Sequence, residues 1–389
     1  MSQLLNERWS ETKEALLEGL QGNRRASMNV CLENTRRHLA ESATAGATSA
    51  GNVATLNRVI LPVIRRVMPT VIANEIIGVQ PMTGPVGQIH TLRVRYADSG
   101  DNVTAGEEAL SPFKIAAAYS GNNQDATPKA NTTSALEGTP GKRMSIQILK
   151  SPVEAKSRKL SARWTFEAAQ DAQAQQGIDI EAEIMAALAQ EITAEIDQEI
   201  LASLRALASV EETYDQSLVS GTATFVGDEH AALAIQINRV SNLIAQRTRR
   251  GAGNWAVVSN QALTILQSAT TSAFARTTEG TFEAPTNTKF VGTLNGAMRI
   301  YVDAYKSDTD DANQVLIGYK GASEADAAAF YCPYIPLMSS GVVLDPQTFE
   351  PVVSFMTRYG YVELTNTASS LGNAGDYVGE IAVANLSFQ

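Results

Sequence analysis

Two runs of opposite charge lie close together in the chain. Seven basic residues fall between Lys142 and Arg163: Lys142, Arg143, Lys150, Lys156, Arg158, Lys159 and Arg163, with one acid, Glu154, among them. Seven acids follow between Asp179 and Glu199: Asp179, Glu181, Glu183, Glu191, Glu195, Asp197 and Glu199, with no base. Such groups can do acid–base work, hold a metal, grip nucleic acid or recognise one another. His38, His90 and His230 do not sit at a spacing that presents two metal ligands on one face. No GxGxxG follows a strand, no glycine-rich loop ends in Lys-Ser or Lys-Thr, and no GxSxG elbow occurs. "TRRGAGN" ends a helix, where the dipole repels an anion. The basic run lacks interleaved aromatics, since Trp164 and Phe166 come only after it, so a nucleic-acid groove is the weaker reading. The chain reads as a non-enzyme without cofactor or metal.

Mutual recognition remains. The base of a projecting arm in one copy, with Lys142, Arg143, Arg158, Lys159 and Arg163, is expected to cross an acidic helix of the next copy. The acidic partners are Glu181, Glu191, Glu195 and Glu199. Complementary charge fixes register and partner choice more than affinity. On this reading, reversing Arg158 and Lys159 impairs assembly and leaves the subunit folded.

The elements that carry these runs follow from the pattern. The 389 residues are 44% apolar and 19% charged, enough for two or three packed domains. The net charge of −10 argues against non-specific nucleic-acid binding, which depends on cations. Cys31 and Cys332 offer no disulfide framework and read as free thiols. No apolar run approaches the ~20 residues of a membrane helix, and the charged N-terminus is no signal peptide. These features point to an intracellular product.

Residues 178–207 form the strongest predicted helix, with Asp179 as N-cap and Glu181 and Glu183 in the first turn. Ile184, Leu188, Ile192, Ile196, Ile200 and Leu204 recur every fourth residue. That stripe drifts about 40° per step, so the two ends of the helix meet different partners. Thirty residues span about 45 Å, the length of a strut. "QIHTLRVRYA" alternates as a strand, and a matching strand lies near residues 144–149. The polar stretch 98–141 between them describes an excursion at the tip of a β-arm, too weakly apolar for an elaborate lobe.

Helical and extended segments alternate without a βαβ series after that. A helix starts at Asp228, with Leu233, Ile237, Val240 and Ile244 on one face. "NWAVVSN" reads as a buried strand and "QALTILQSA" as a helix, with later strands in "GAMRIYVDAY", "QVLIGYK", "AFYCPYIPL", "FEPVVSFMTRYGYVEL" and "YVGEIAVANL". The class is α+β. Residues 1–52, two helical pieces and the small polar stretch "AESATAGATSAGN", are expected to be an arm outside the core. In residues 53–77, Pro62 and Pro69 forbid one long helix and leave short turns. "IIGVQPMTGPVGQ" then forms a rigid corner through Gly78, Pro81, Gly84, Pro85 and Gly87, its glycines supplying unusual φ values.

"GVQPMTGPVGQ" followed by "LRVRY" resembles the major capsid proteins of T-even-type tailed bacteriophages, the myoviruses. "SRKLSARWTFEAAQD", "GIDIEAEIMAALAQEITAEIDQEI", "IAQRTRRGAGNWAVVSNQAL" and "YCPYIPLMSSGVVLDPQTFEPVVSFMTRYG" match in the same order, from about Pro62 to Gly360. The resemblance implies the Hong Kong 97-like phage capsid fold. It places an N-terminal arm and candidate propeptide at 1–52, a segment leading into the peripheral domain at 53–84, and an extended loop at 85–165 with its insertion at 98–141. The peripheral domain at 166–224 would hold the spine helix 178–207. The axial domain would occupy 225–345, and 346–389 would return to the peripheral domain.

The implied function is a head shell of hexamers and pentamers around packaged double-stranded DNA, without sequence-specific binding or membrane contact. Implied partners are a portal, a scaffold, a maturation protease and decoration proteins, in a virion made in the host bacterial cytoplasm. Relatives lose a propeptide after Leu-x-Glu, and Glu18 and Glu41 close such triplets. A chain beginning at Met1 favours an uncleaved arm. The rival reading is an encapsulin-like nanocompartment shell.

Overall fold

The computed structural model describes most of residues 9–44, 72–109, 119–121, 130–216, 226–276, 289–303, 314–364 and 373–385. The described helices are α1 (Gly22–Thr44), α2 (Phe166–Gln176), α3 (Ile180–Leu207), α4 (Val226–Thr248) and α5 (Asn260–Ser268), with single turns at Ala73–Ile76 and Thr133–Leu136. The strands are β1 (Gly78–Val79), β2 (Val86–Tyr96), β3 (Met144–Glu154), β4 (Lys156–Arg163), β5 (Ser209–Asp215), β6 (Trp255–Val258) and β7 (Phe274–Arg276). They continue as β8 (Lys289–Leu294), β9 (Met298–Val302), β10 (Gln314–Gly318), β11 (Ala329–Ser339), β12 (Val343–Leu344), β13 (Pro351–Glu363) and β14 (Val378–Ala384).

Three sheets result. The first runs β1-β11-β13-β12, with β4 also paired to β13. The second has seven strands in the order β5-β14-β10-β6-β9-β8-β7. The third is the isolated ribbon β2-β3. Helix α3 starts where its cap dictates: the Asp179 side chain accepts from Glu181 N at 3.1 Å. Leu188, Ile192, Ile196, Ile200 and Leu204 are all buried in the larger core, which lies against the first sheet. Each fully buried aliphatic contributes about 1.5–3 kcal/mol. A second core fills the space between α4, α5 and the seven-stranded sheet, with Leu233, Ile237, Val240 and Ile244 on the buried face of α4.

The N-terminal segment departs from expectation. Leu16, Leu17, Met28, Cys31 and Leu32 belong to the larger core. These residues are therefore part of the body rather than a detached arm, because helix α1 packs against β11. Residues 53–71 lie outside the described residues. Sheet boundaries also differ from the expected domain limits. Strand β4 leaves the ribbon and joins the first sheet, β11 belongs to that sheet, and β14 lies in the second. At the tip of the ribbon, Tyr96, Val103, Ala109 and Tyr119 bury one another in a small core of their own, more structure than so polar an excursion suggests.

Candidate functional site

The ribbon is the feature that leaves the body. Strands β2 and β3 pair antiparallel without a break from Val86↔Glu154 to Tyr96↔Met144. Residues on one face of a pleated strand alternate, so Val94, Tyr96, Met144, Ile146 and Ile148 share a side. Ile146 is 68% exposed, Ile148 60% and Met144 53%. A row of exposed aliphatics on a two-stranded ribbon is costly in water and marks a surface that another surface covers. At the tip, Arg143 closes onto Asp98 (Nη2 to Oδ1, 3.2 Å), and the Lys142 ammonium lies 5.4 Å from the Tyr119 ring centre.

The root of the ribbon is held by the predicted corner. Gly78 and Val79 lie parallel to Phe330 and Tyr331. Gln80 N donates to Tyr331 O at 3.0 Å, and Met82 N to Pro333 O at 3.0 Å. Across the base, Ala155 N donates to Pro85 O at 2.9 Å. The corner glycines do not serve left-handed backbone: among the described residues the glycines with positive φ are Gly22, Gly106, Gly138, Gly296 and Gly341. Gly78 instead permits close approach. A Cβ there would sit 2.3 Å from Glu324 O and 2.8 Å from the Phe330 ring. A Cβ on Gly87 would lie 3.3 Å from Met82 Sδ, and one on Gly84 would meet nothing nearer than Val86 O at 3.8 Å.

Immediately after the root, Arg158 does its work inside its own chain. Its Nη1 meets Glu195 Oε2 at 2.7 Å, its Nη2 meets Glu199 Oε2 at 2.5 Å, and its Nε donates to Tyr359 Oη at 2.6 Å. Tyr359 also donates to Glu199. The expected contact of Arg158 with a neighbouring copy is thus replaced by an intrachain clamp. The reason is period two. In β4 the half-buried residues are Arg158, Leu160 and Ala162, while Lys159, Ser161 and Arg163 are exposed. The packing of β4 beside β13 turns the first set toward α3. Burial opposes the ionisation of Glu199, but hydrogen bonds from Arg158 and Tyr359 outweigh it and hold the carboxyl below its ordinary range. Burial, then the adjoining Glu199, pushes the Tyr359 phenol up.

The other predicted contact residues are dispersed. Arg163 Nε lies 3.9 Å from Glu350 Oε2. Lys159 borders an open groove of about 500 Å³ with Ser161, Met338 and Met356. Glu181 follows the helix cap and Glu191 is exposed on α3. Glu18 lies outside the described residues, and the backbone of Leu39-Ala40-Glu41 is helical, within α1.

Further along, α3 carries buried polar groups that the charge pattern does not distinguish from solvated ones. Gln198 Nε2 donates to Asp303 Oδ1 at 2.8 Å and Arg205 Nη2 to Asp303 Oδ2 at 3.0 Å, fastening the helix to the end of β9. Asp197 Oδ1 accepts from Ile72 N at 2.9 Å. Its Oδ2 has no partner among the described residues. Burial first, and the nearby Asp303, push the Asp197 carboxyl up to about 7 against the Ile72 hydrogen bond. An unfolded Asp titrates near ~3.9. The folded state therefore holds this proton more tightly, and the group's contribution to stability falls as pH rises from about 4 to about 7, then stays level. Asp197→Asn should flatten that interval in urea melts taken across it; an unchanged slope would contradict the assignment.

A folded body bearing an outstretched, apolar-faced ribbon has the form of a building block, and the proteins this chain matches give its class, that of phage head shell proteins. The profile of the family "Major capsid protein Gp23" matches residues 53–139 and 127–383. The chain belongs to this family of T-even-type capsid proteins. It is 28% identical over 443 residues to the major capsid protein of Vibrio phage KVP40, covering 90% of this chain and 85% of that one. It is 29% identical to that of Enterobacteria phage T4, over 82% of this chain and 77% of that one. Against that of Salmonella phage ViI it is 30% identical, over 83% and 80%. Among solved structures, one from Microbacterium phage Oxtober96 aligns with a TM-score of 0.47 and 12% identity, over 80% of this chain and 90% of that one. The capsid of Myoviridae Phage XM1 aligns at 0.45 and 10%, over 79% and 90%.

Proposed function

We propose that copies of this chain join through the ribbon into hexamers and pentamers that close a phage head shell around packaged double-stranded DNA. The observation that carries this reading is the row Met144, Ile146 and Ile148 on β3, exposed on a chain whose cores are otherwise well buried. The first sheet with α3 corresponds to the peripheral domain, and the seven-stranded sheet to the axial domain. Lys142, Lys159 and Arg163 are then contacts to acidic surface on adjoining copies, with Glu181 and Glu191 on the receiving side. The relatives favour a phage shell over an encapsulin-like compartment. A net charge of −10 limits adhesion of DNA to the inner wall. Portal, scaffold, maturation protease and decoration proteins complete the partners, and synthesis takes place in the host cytoplasm.

The test is an Ile146→Asp, Ile148→Asp variant. Its melting temperature should match that of the parent, because neither side chain packs in a core. Shells seen by negative-stain microscopy and light scattering should be lost, since burying a carboxylate in an apolar contact costs several kcal/mol. Normal shells from this variant would remove the ribbon from the assembly. We also propose that the N-terminal segment stays attached, because its candidate cleavage triplet at Glu41 is helical while proteolytic nicking favours exposed loops. Intact mass of the shell protein from infectious particles tests this: a product beginning at Gly19 or at Ser42 would overturn it.

A further inference from the structure

We infer that Asn34, on the N-terminal helix α1, is a positioning residue that sets the angle of the ribbon. Asn34 is buried, and its side-chain Nδ2 donates to two carbonyls from separate segments: Met82 O at 2.6 Å and Tyr334 O at 3.1 Å. One belongs to the corner and the other to β11. The amide thus ties the corner to the sheet at one point.

What it ties down is the lid of a socket. Met82 is buried with Val153, Phe330 and Cys332 in a small cluster separate from the main cores. Val153 is the last buried residue of β3 before the root. It occupies a notch made by Gly360 of β13, where an added Cβ would lie 2.4 Å from Val153 Cγ1 and 3.1 Å from Glu154 O. The Met82 Cε would lie 3.5 Å from the same Cβ. Val153 is therefore held between the Gly360 notch and the Met82 side chain. Main-chain bonds from Gln80 N and Met82 N hold the corner on β11, and Ala155 N closes the base on Pro85 O; Asn34 adds a side-chain tie, at the Met82 carbonyl beside Val153.

The helix is a firm support. Met28, Cys31 and Leu32 of α1 are each no more than 1% exposed, so displacing Asn34 would require pulling three side chains from the core. Position 34 thereby couples the N-terminal segment to the ribbon through packed atoms. The consequence for shell building rests on the ribbon being the latch proposed above. The geometric claim does not, and the experiment addresses it on single subunits.

Spin labels at Ser134→Cys, in the exposed turn near the tip, and at Ala187→Cys, on the exposed side of α3, report the tip-to-body distance by pulsed electron resonance. Cys31 and Cys332 are buried and leave the introduced thiols as the reactive ones. In the full chain, kept unassembled, the parent should show one narrow distance. Asn34→Ala should lose that narrow peak while its melting temperature drops by only a few degrees. Asn34→Ser, which keeps one donor, should fall between them and serves as the reading if the alanine variant does not fold. A purely structural role would lower stability and leave the peak in place. The same narrow peak in whichever of the two variants folds would overturn the inference, whatever shells do.

Discussion

Arg158→Glu should destabilise the isolated subunit, with assembly lost only as a consequence. The substitution removes three hydrogen bonds and sets a third carboxylate against Glu195 and Glu199. Breaking a well-buried pair costs about 3–5 kcal/mol. The Arg158 side chain is 32% exposed and its partners slightly more, so solvent screening reduces this to about 2–3 kcal/mol. For a domain of this size the melting temperature should fall by roughly 5–10 °C. Lys159→Glu, one residue away and pointing outward, should stay within about 0.5 kcal/mol of the parent. Parallel melts of the two single variants decide the matter: equal stability would dissolve the clamp. Acid should erase the difference for an Arg158→Ala variant. Glu199 is depressed in the folded state, so its contribution is full above the unfolded value of about 4.3 and is lost as pH falls through the lower folded value.

Gly78→Ala should cost more than any other exchange in the corner. The new methyl would meet a backbone oxygen, Glu324 O, at 2.3 Å. A backbone atom cannot rotate away, and the turn that carries it is pinned because Glu324 Oε2 accepts from Val79 N at 2.8 Å. Overpacking of this kind costs about 1–3 kcal/mol and sometimes more, and the upper end applies here. Gly84→Ala provides the contrast. Its space is open, and at a compatible site the loss of unfolded-state freedom stabilises by about 0.4–1 kcal/mol. Urea midpoints for the pair separate close approach from backbone freedom as the reason for glycine. If Gly84→Ala is as damaging as Gly78→Ala, the steric explanation fails.

Helix α3 could be read in full from the sequence. Asp179, the acidic first turn and a four-residue apolar repeat are local signals, and local signals survive the absence of coordinates. The same holds for α4 and for β6, whose four residues are all buried. The ribbon strands were equally visible through their alternation. The clamp was not, since Arg158 lies 37 and 41 residues from its carboxylates and 201 from Tyr359. Nothing in the neighbourhood of Arg158 distinguishes it from Lys159 until strand pairing decides which side faces α3. The placement of α1 was missed for a related reason. The small polar residues after Ala40 read as a boundary, while Met28, Cys31 and Leu32 reveal their burial only when β11 is present to cover them. Gly360 gives no local sign of its notch.

The ribbon also has a mechanical consequence. Eleven residues at about 3.3 Å each make a lever of roughly 36 Å. The tip is compacted by its own small core, so it moves as one piece with the strands. A tilt of about 5° at the root then carries the tip through roughly 3 Å, enough to pull an aliphatic side chain out of van der Waals reach. Tolerance at the far end is therefore set by the few atoms around Val153, and small changes there should be magnified into curvature across the whole container.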